Sequence, residues 1–357
     1  MIPTKPLSTT AKRVIFSGIQ PTGIPHLGNY LGALSSWSSL QQPGTTTFYS
    51  IVDLHAITMP QDPDILRQSK FDMAVSLLAC GVDPKQSALF EQSRVAAHSE
   101  LAWIFNCLTP VGWLGRMTQW KSKMDQKRGH VASHAEILAD ESLTTGLKMG
   151  LFDYPVLQAA DILLYKATHV PVGQDQLQHL ELARDTAKLF NKTFKKNVFP
   201  KPIAITPPES QRVMSLRQPT VKMSKSDPSE QSRINLSDTP EVIQSKIGRA
   251  TTDSLVGVSY DKRERPGVSN LLTIYSAVRD ISIEEAVKEF EGVESTKQFK
   301  EQVADAVIDR IVPIRNELSR LQGDPGYVRQ VLDEGAEKAA EVAHKHMEEV
   351  YKVIGLK

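Results

Sequence analysis

The first two hundred residues alternate short β-branched or aromatic runs with longer helical patterns, and this alternation limits the chain to few folds. Arg13–Ser17 (RVIFS) is a compact apolar run that stops at Gly18, and helical spacing follows through Leu27, Tyr30, Leu31 and Leu34. Thr46–Val52, Ser87–Phe90 and Thr168–Val172 have the same strand character. Between them, Asp62-Pro63 starts a helix that runs to Gly81, and another helix is expected over Asp175–Phe190. Strands separated by helices predict an α/β fold with a Rossmann-like, doubly wound parallel sheet. Ligands of such sheets sit outside the carboxyl ends of the strands.

Past residue 205 the pattern becomes helical, over 240–250, 268–290, 296–322 and 326–354. The expected organisation is a catalytic domain over 12–205, a helical domain over 206–322 and a terminal helix within 323–357. Segment 124–146 is polar and poorly patterned, as in a surface loop or insertion.

Charge excludes a globally basic nucleic-acid binder, since 42 basic side chains face 41 acidic ones for a net charge of +1. Any RNA contact has to be local. Arg116, Lys121, Lys123, Lys127 and Arg128 form one basic stretch, and Arg184, Lys188, Lys192, Lys195, Lys196 and Lys201 form another. A solvated face and an RNA contact explain these stretches equally well. Cys80 and Cys107 lack zinc-ligand spacing and suggest a reducing compartment. No uncharged apolar run reaches the ~20 residues that span a membrane. The first dozen residues carry Lys5 and Lys12, several hydroxyl side chains and no acid, in the manner of an organellar presequence.

Three stretches carry chemistry. The turn after the first strand, FSGIQPTGIPHLGN (16–29), sets Gly18, Gly23 and Gly28 between a strand and a helix start. There the backbone can approach a phosphate and the helix N-terminus adds positive potential. A plain Gly/Pro turn is the alternative. Lys222-Met223-Ser224-Lys225-Ser226 offers two ammonium groups to a leaving pyrophosphate. Lastly, Pro155 is expected to open a nearly all-apolar helix on which Tyr154, Gln158 and Asp161 share one face. A carboxylate there needs a donor, either a distant cation or a ligand.

Pro25-His-Leu-Gly-Asn29 resembles the HIGH signature of the class I aminoacyl-tRNA synthetases, in the HxGN form of the tryptophan-specific group, and 222–226 matches their KMSKS signature. Asp153–Tyr165 is similar to the tryptophan-binding helix of that group, Val170-Pro-Val-Gly-Gln-Asp-Gln176 to its VPVGEDQ loop, and Asp53-Leu-His-Ala-Ile-Thr58 to its VDxHAIT segment. The resemblance implies ATP, used with Mg²⁺, L-tryptophan and tRNA(Trp) as substrates, and a homodimer. It implies that His26 and Asn29 steady the α-phosphate, that Lys222 and Lys225 hold the outer phosphates, and that Met223, Ser224 and Ser226 shape that loop around ATP. Lys123 would be a third phosphate lysine, with Lys121 and Lys127 as competitors. Gln20 would lie over the amino acid and adenylate, Gln158 would stand in the tryptophan pocket, and Gly28, Gly173 and Asp175 would contact the nucleotide. Asp161 would accept from the indole, Tyr154 and Gln176 would bind the ammonium group, and His55 would line the pocket. Asp53 would order the site without doing chemistry.

Two departures stand out. Gln158 replaces a Met common in bacterial members and points to the mitochondrial branch, and Gln174 replaces a Glu. A tyrosine-specific enzyme, a non-ligating adenylyltransferase and a catalytically silent RNA-binding paralogue are the alternatives.

Overall fold

The computed structural model describes residues 13–117, 148–206 and 212–357. The described residues form five strands, all parallel, in the order β3-β2-β1-β4-β5. They are β1 Arg13–Ile19, β2 Thr45–Ile51, β3 Ser87–Glu91, β4 His169–Pro171 and β5 Ile203–Ile205. Four coincide with the expected runs to within two residues at either end. β5 escapes sequence reading because three residues between Pro200, Pro202 and a following Thr-Pro-Pro give no pattern. β1 pairs with β2 on one side and touches β4 on the other at Ile15–His169. The strand order therefore reverses beside β1, which makes the crevice between β1 and β4 the ligand position of a doubly wound sheet.

Local chemistry explains several helix starts. Asp62 accepts from the amides of Asp64 and Ile65, Pro63 fills the first turn, and the helix Pro63–Ala79 follows. After β1 the chain makes an α turn at Leu27–Asn29, a π turn at Tyr30–Leu34 and an α segment at Ser35–Leu40. Leu27, Tyr30, Leu31 and Leu34 are buried, as their spacing predicts.

Two expectations need correction. The helix that carries Tyr154 runs Met149–Leu164, so Pro155 lies inside it and does not open it. Leu151 is buried on the same helix, and packing extends it backwards past the proline. The segment 268–290 is also not one helix. Pro266–Arg279 ends at Asp280, whose φ of +54° is left-handed, and Ile283–Glu289 restarts under a Ser282/Glu285 capping box.

Pro240–Gly248, Pro266–Arg279, Ile283–Glu289 and Thr296–Gln322 make up the helical half. It shares a hydrophobic core with Leu31, Leu34, Ile51 and Leu77 of the sheet half. The last helix, Pro325–Ile354, returns to the sheet. A Cβ placed on Gly335 would meet the Leu89 carbonyl of β3 at 1.9 Å, so only glycine permits this approach. Further along, His346 Nδ1 lies 2.7 Å from the Leu164 carbonyl at the end of the Met149–Leu164 helix.

Candidate active site

At the carboxyl ends of β1 and β4 lies a cavity of about 620 Å³. Eight residues singled out in the sequence line it: Gly18, Gln20, His55, Tyr154, Gln158, Asp161, Gly173 and Gln176. They come from four segments, and the sheet topology alone brings them together.

Asp161 is 1% exposed and takes three side-chain partners. Its Oδ2 lies 2.8 Å from His55 Nε2, and its Oδ1 accepts from Gln92 Nε2 at 2.7 Å and faces His98 Nδ1 at 2.7 Å. Burial alone would raise the carboxyl pKa, but the hydrogen bonds from His55 and His98 outweigh it and hold the group below the usual carboxylate range. Asp161 is thus an ionised acceptor inside an apolar helix. In place of the distant Arg or Lys that the sequence offered as one alternative, its donors are two histidines and an amide.

The same cavity is lined by a second network. The Tyr154 hydroxyl lies 3.2 Å from His179 Nε2, and His179 Nδ1 lies 2.9 Å from Gln176 Oε1. Gln176 Oε1 also takes a long contact of 3.3 Å from Gln158 Nε2, while its own Nε2 donates to Asp175. Burial pushes the Tyr154 phenol up, so it remains a hydroxyl near neutrality. Asp53 sits outside the cavity wall, where Ser93 donates to it from both its amide and its hydroxyl and Lys70 pairs with it at 3.2 Å. It ties the end of β2 to the end of β3.

Next to the cavity stands the phosphate-type turn. His26 caps the helix start: its Nδ1 accepts from the Asn29 amide at 3.2 Å, and Asn29 Oδ1 accepts from the His26 amide at 3.1 Å. The same turn is clipped to the helical half by Leu27 N to Ile234 O at 2.7 Å and Leu236 N to Pro25 O at 3.1 Å. Burial, then the charges of Lys225, Arg233 and Lys222, lower the His26 pKa to about 4. His26 is therefore neutral at physiological pH.

Met223 is the buried anchor of the lysine loop. Lys225 Nζ crosses to the first loop and donates to the Thr22 carbonyl at 2.7 Å. Burial, reinforced by Arg233, lowers its pKa to about 8. Ser224 and Ser226 bond each other at 2.8 Å, whereas Lys222 is exposed. A Cβ on Gly28 would meet the His26 ring at 3.1 Å, so a side chain there would push the ring aside. Lys123 lies outside the described residues, as does segment 124–146.

Sequence reasoning missed Gln92, His98, Tyr165 and His179. Gln92, His98 and His179 belong to no motif legible in the sequence, and only Tyr165 fell inside a recognised stretch. Of the second basic stretch, Arg184 is engaged with Glu181 and the Pro202 carbonyl, while Lys188, Lys192, Lys195, Lys196 and Lys201 are exposed. No helix among the described residues is long and apolar enough to cross a membrane.

A parallel sheet with this order, a glycine turn capped by His26 and a lysine loop folded onto it define a class of ATP-dependent synthetase. The family profile described as tRNA synthetases class I (W and Y) matches residues 8–311. The mitochondrial tryptophan--tRNA ligase of Saccharomyces cerevisiae is 45% identical over 346 residues, 96% of this chain and 90% of the relative. The tryptophan--tRNA ligase of Gloeobacter violaceus is also 45% identical, over 98% of each chain. Among solved structures, the tryptophanyl-tRNA synthetase of Mycoplasma pneumoniae superposes with a TM-score of 0.81 at 33% identity, over 97% of this chain and 99% of that one. The chain belongs to the tryptophan--tRNA ligase family of class I synthetases.

Proposed function

We propose that the chain activates L-tryptophan with ATP and transfers it to the 3′ end of tRNA(Trp). In the first step the tryptophan carboxylate attacks the α-phosphate in line, and the bond to pyrophosphate breaks. In the second, the 2′-hydroxyl of the terminal adenosine attacks the adenylate carbonyl, loses its proton and releases AMP. The observation that carries this reading is one cavity with a buried anionic acceptor, beside a turn and loop rich in phosphate-binding groups.

The residues divide between two ends. A carboxylate offers about four lone-pair positions, and the three donors around Asp161 leave one for an indole N–H. Tyr154 and Gln176 would take the ammonium group, with His55 and Gln158 lining the ring. Gln20, Gly173 and Asp175 would hold the adenylate and its ribose. His26 is neutral, so it would act as a hydrogen-bonding group at the α-phosphate and not as a cation. Asn29 would donate beside it, and Gly28 would let the backbone close in.

Lys222 and Lys225, with Lys123, would meet the charge that grows on pyrophosphate. In that role Lys225 must exchange the Thr22 carbonyl for phosphate oxygens. Met223, Ser224 and Ser226 would set the shape of the loop. Catalysis would come from positioning and charge stabilisation. Mg²⁺ would arrive on the ATP phosphates, which supply most of its oxygen ligands.

The helical half, 206–322, would hold the tRNA and its anticodon, and the active unit would be a homodimer, checked by the mass of the species in solution. Matrix localisation in mitochondria is favoured by Gln158 and the basic, acid-free first dozen residues. Import of a reporter fused to the N-terminal segment would test it. The tyrosine-specific alternative is not favoured, because the relatives described above are tryptophan--tRNA ligases.

Amino-acid-dependent ATP–pyrophosphate exchange, with the twenty amino acids supplied singly, tests the whole reading. Exchange with tryptophan is expected. Exchange driven by tyrosine, or by none of the twenty, would overturn it.

A further inference from the structure

Behind Asp161, and out of contact with the cavity, lies a buried chain of polar groups that has no evident part in ATP chemistry. Gln92 and His98 are wholly buried and Tyr165 is 1% exposed. Their hydrogen bonds have one consistent direction. The Leu54 amide donates to Gln92 Oε1 at 3.2 Å, which turns the amide NH₂ of Gln92 onto Asp161. The Tyr165 hydroxyl lies 2.8 Å from His98 Nε2, and burial together with the charge of Asp161 keeps it a phenol. A phenol donating to Nε2 leaves the imidazole proton on Nδ1, which faces Asp161 Oδ1.

Aromatic packing fixes this chain to the sheet. The Tyr165 ring stacks on Phe16 of β1 at 5.5 Å and on Phe48 of β2 at 4.3 Å, and meets Phe90 of β3 at 5.9 Å. Three strands therefore hold the ring that orients His98. The same burial leaves no access for bulk water to compete for Asp161 from behind.

We propose that Gln92, His98 and Tyr165 are specificity-determining positioning residues, which hold Asp161 as an acceptor-only carboxylate so that the site selects an aromatic amino acid whose ring carries an N–H. The proposal rests on the assignment of Asp161 to the substrate ring. His55 differs from these three, because it lines the cavity and can touch the ligand itself. A ring with sulfur in place of N–H fills the same volume but gives the carboxylate nothing to accept. Sites built around such a hydrogen bond reject the analogue that lacks it. Once the donors behind Asp161 are lost, the carboxyl group can rotate or take up a proton, and that rejection weakens.

The test compares tryptophan with β-(benzothiophen-3-yl)alanine in pyrophosphate exchange, as the ratio of kcat/KM values for the full-length enzyme. The wild type is expected to favour tryptophan by at least about tenfold. His98→Leu is expected to bring the ratio within about threefold of unity while the ATP KM stays near that of the wild type. His98→Gln, which keeps an amide donor, should restore part of the preference. If His98→Leu fails to fold, Tyr165→Phe keeps the aromatic stack and removes only the hydroxyl, and its ratio should fall severalfold. A wild-type ratio retained by the variants that fold overturns the proposal. A wild-type ratio near unity instead removes Asp161 from the substrate ring, and exchange without tryptophan dependence removes the activity itself.

Discussion

The two ends of the site are built in opposite ways. At the amino-acid end, Asp161, Gln92, His98 and Tyr165 are almost wholly buried and every partner of the carboxylate is a side chain fixed by its neighbours. At the phosphate end, Lys222 is exposed, Lys225 is half-buried on a single carbonyl contact, and Ser224 and Ser226 bond chiefly to each other. The contrast follows from what each end has to recognise. A neutral ring offers one weak donor, so discrimination requires an acceptor that is already desolvated and aimed. A triphosphate brings its own charge, and the groups that answer it act most strongly when charge develops during the reaction.

If that division holds, mutations at the two ends should separate kcat from substrate affinity. The largest effect is expected for Lys225→Ala. Loss of one transition-state donor costs roughly 10²–10³-fold in kcat for exchange, while tryptophan affinity, read by fluorescence titration, should change less than about twofold. An unchanged kcat would remove the lysine from the chemistry. Asp161→Ala should act on the other side: a hydrogen bond to a charged group is worth about 1.5–3 kcal/mol, so the tryptophan KM should rise roughly 10- to 100-fold. Equal increases in the tryptophan and ATP KM values would dissolve the contrast between the ends.

The third expectation uses pH. Lys225 is protonated below its pKa of about 8 and loses its charge above it. The kcat/KM for ATP should then fall as pH rises through 8, by up to about tenfold per unit. Lys225→Arg keeps the charge and should move that limb to higher pH, and a limb unmoved in this variant would assign the titration to another group. The smallest effect belongs to Gln158→Met. Its 3.3 Å contact with Gln176 is long, and its loss should alter the tryptophan KM by no more than about fivefold. A tenfold change would give Gln158 a direct contact with the ligand.

Much of this site was visible in the amino-acid order because its chemistry is local. The turn at 16–29 and the loop at 222–226 each pack glycines or lysines into one short segment, and the helix with Tyr154, Gln158 and Asp161 places them on one face by its own period. The same locality explains β1 to β4, where β-branched and aromatic residues cluster within five to seven positions or beside a proline-flanked turn. β5 has three residues and no such cluster. Pro155 misled for a related reason. A proline favours the first turn of a helix, but burial of Leu151 and Tyr154 outweighs that preference and extends the helix to Met149.

The sequence by itself determined that a carboxylate, a glycine turn and a lysine loop belong to a doubly wound sheet that handles a nucleotide. Only the tertiary structure decided what that carboxylate is bonded to. His55 lies 106 residues before Asp161, and its stretch pointed to the pocket but not to this carboxylate, while His98 lies 63 residues before it and carries no signal that distinguishes it from any other lone histidine. The return of the final helix onto β3 through Gly335 is of the same kind. Such pairings are set by strand order and by the shape of the packed core, and spacing along the chain does not encode them.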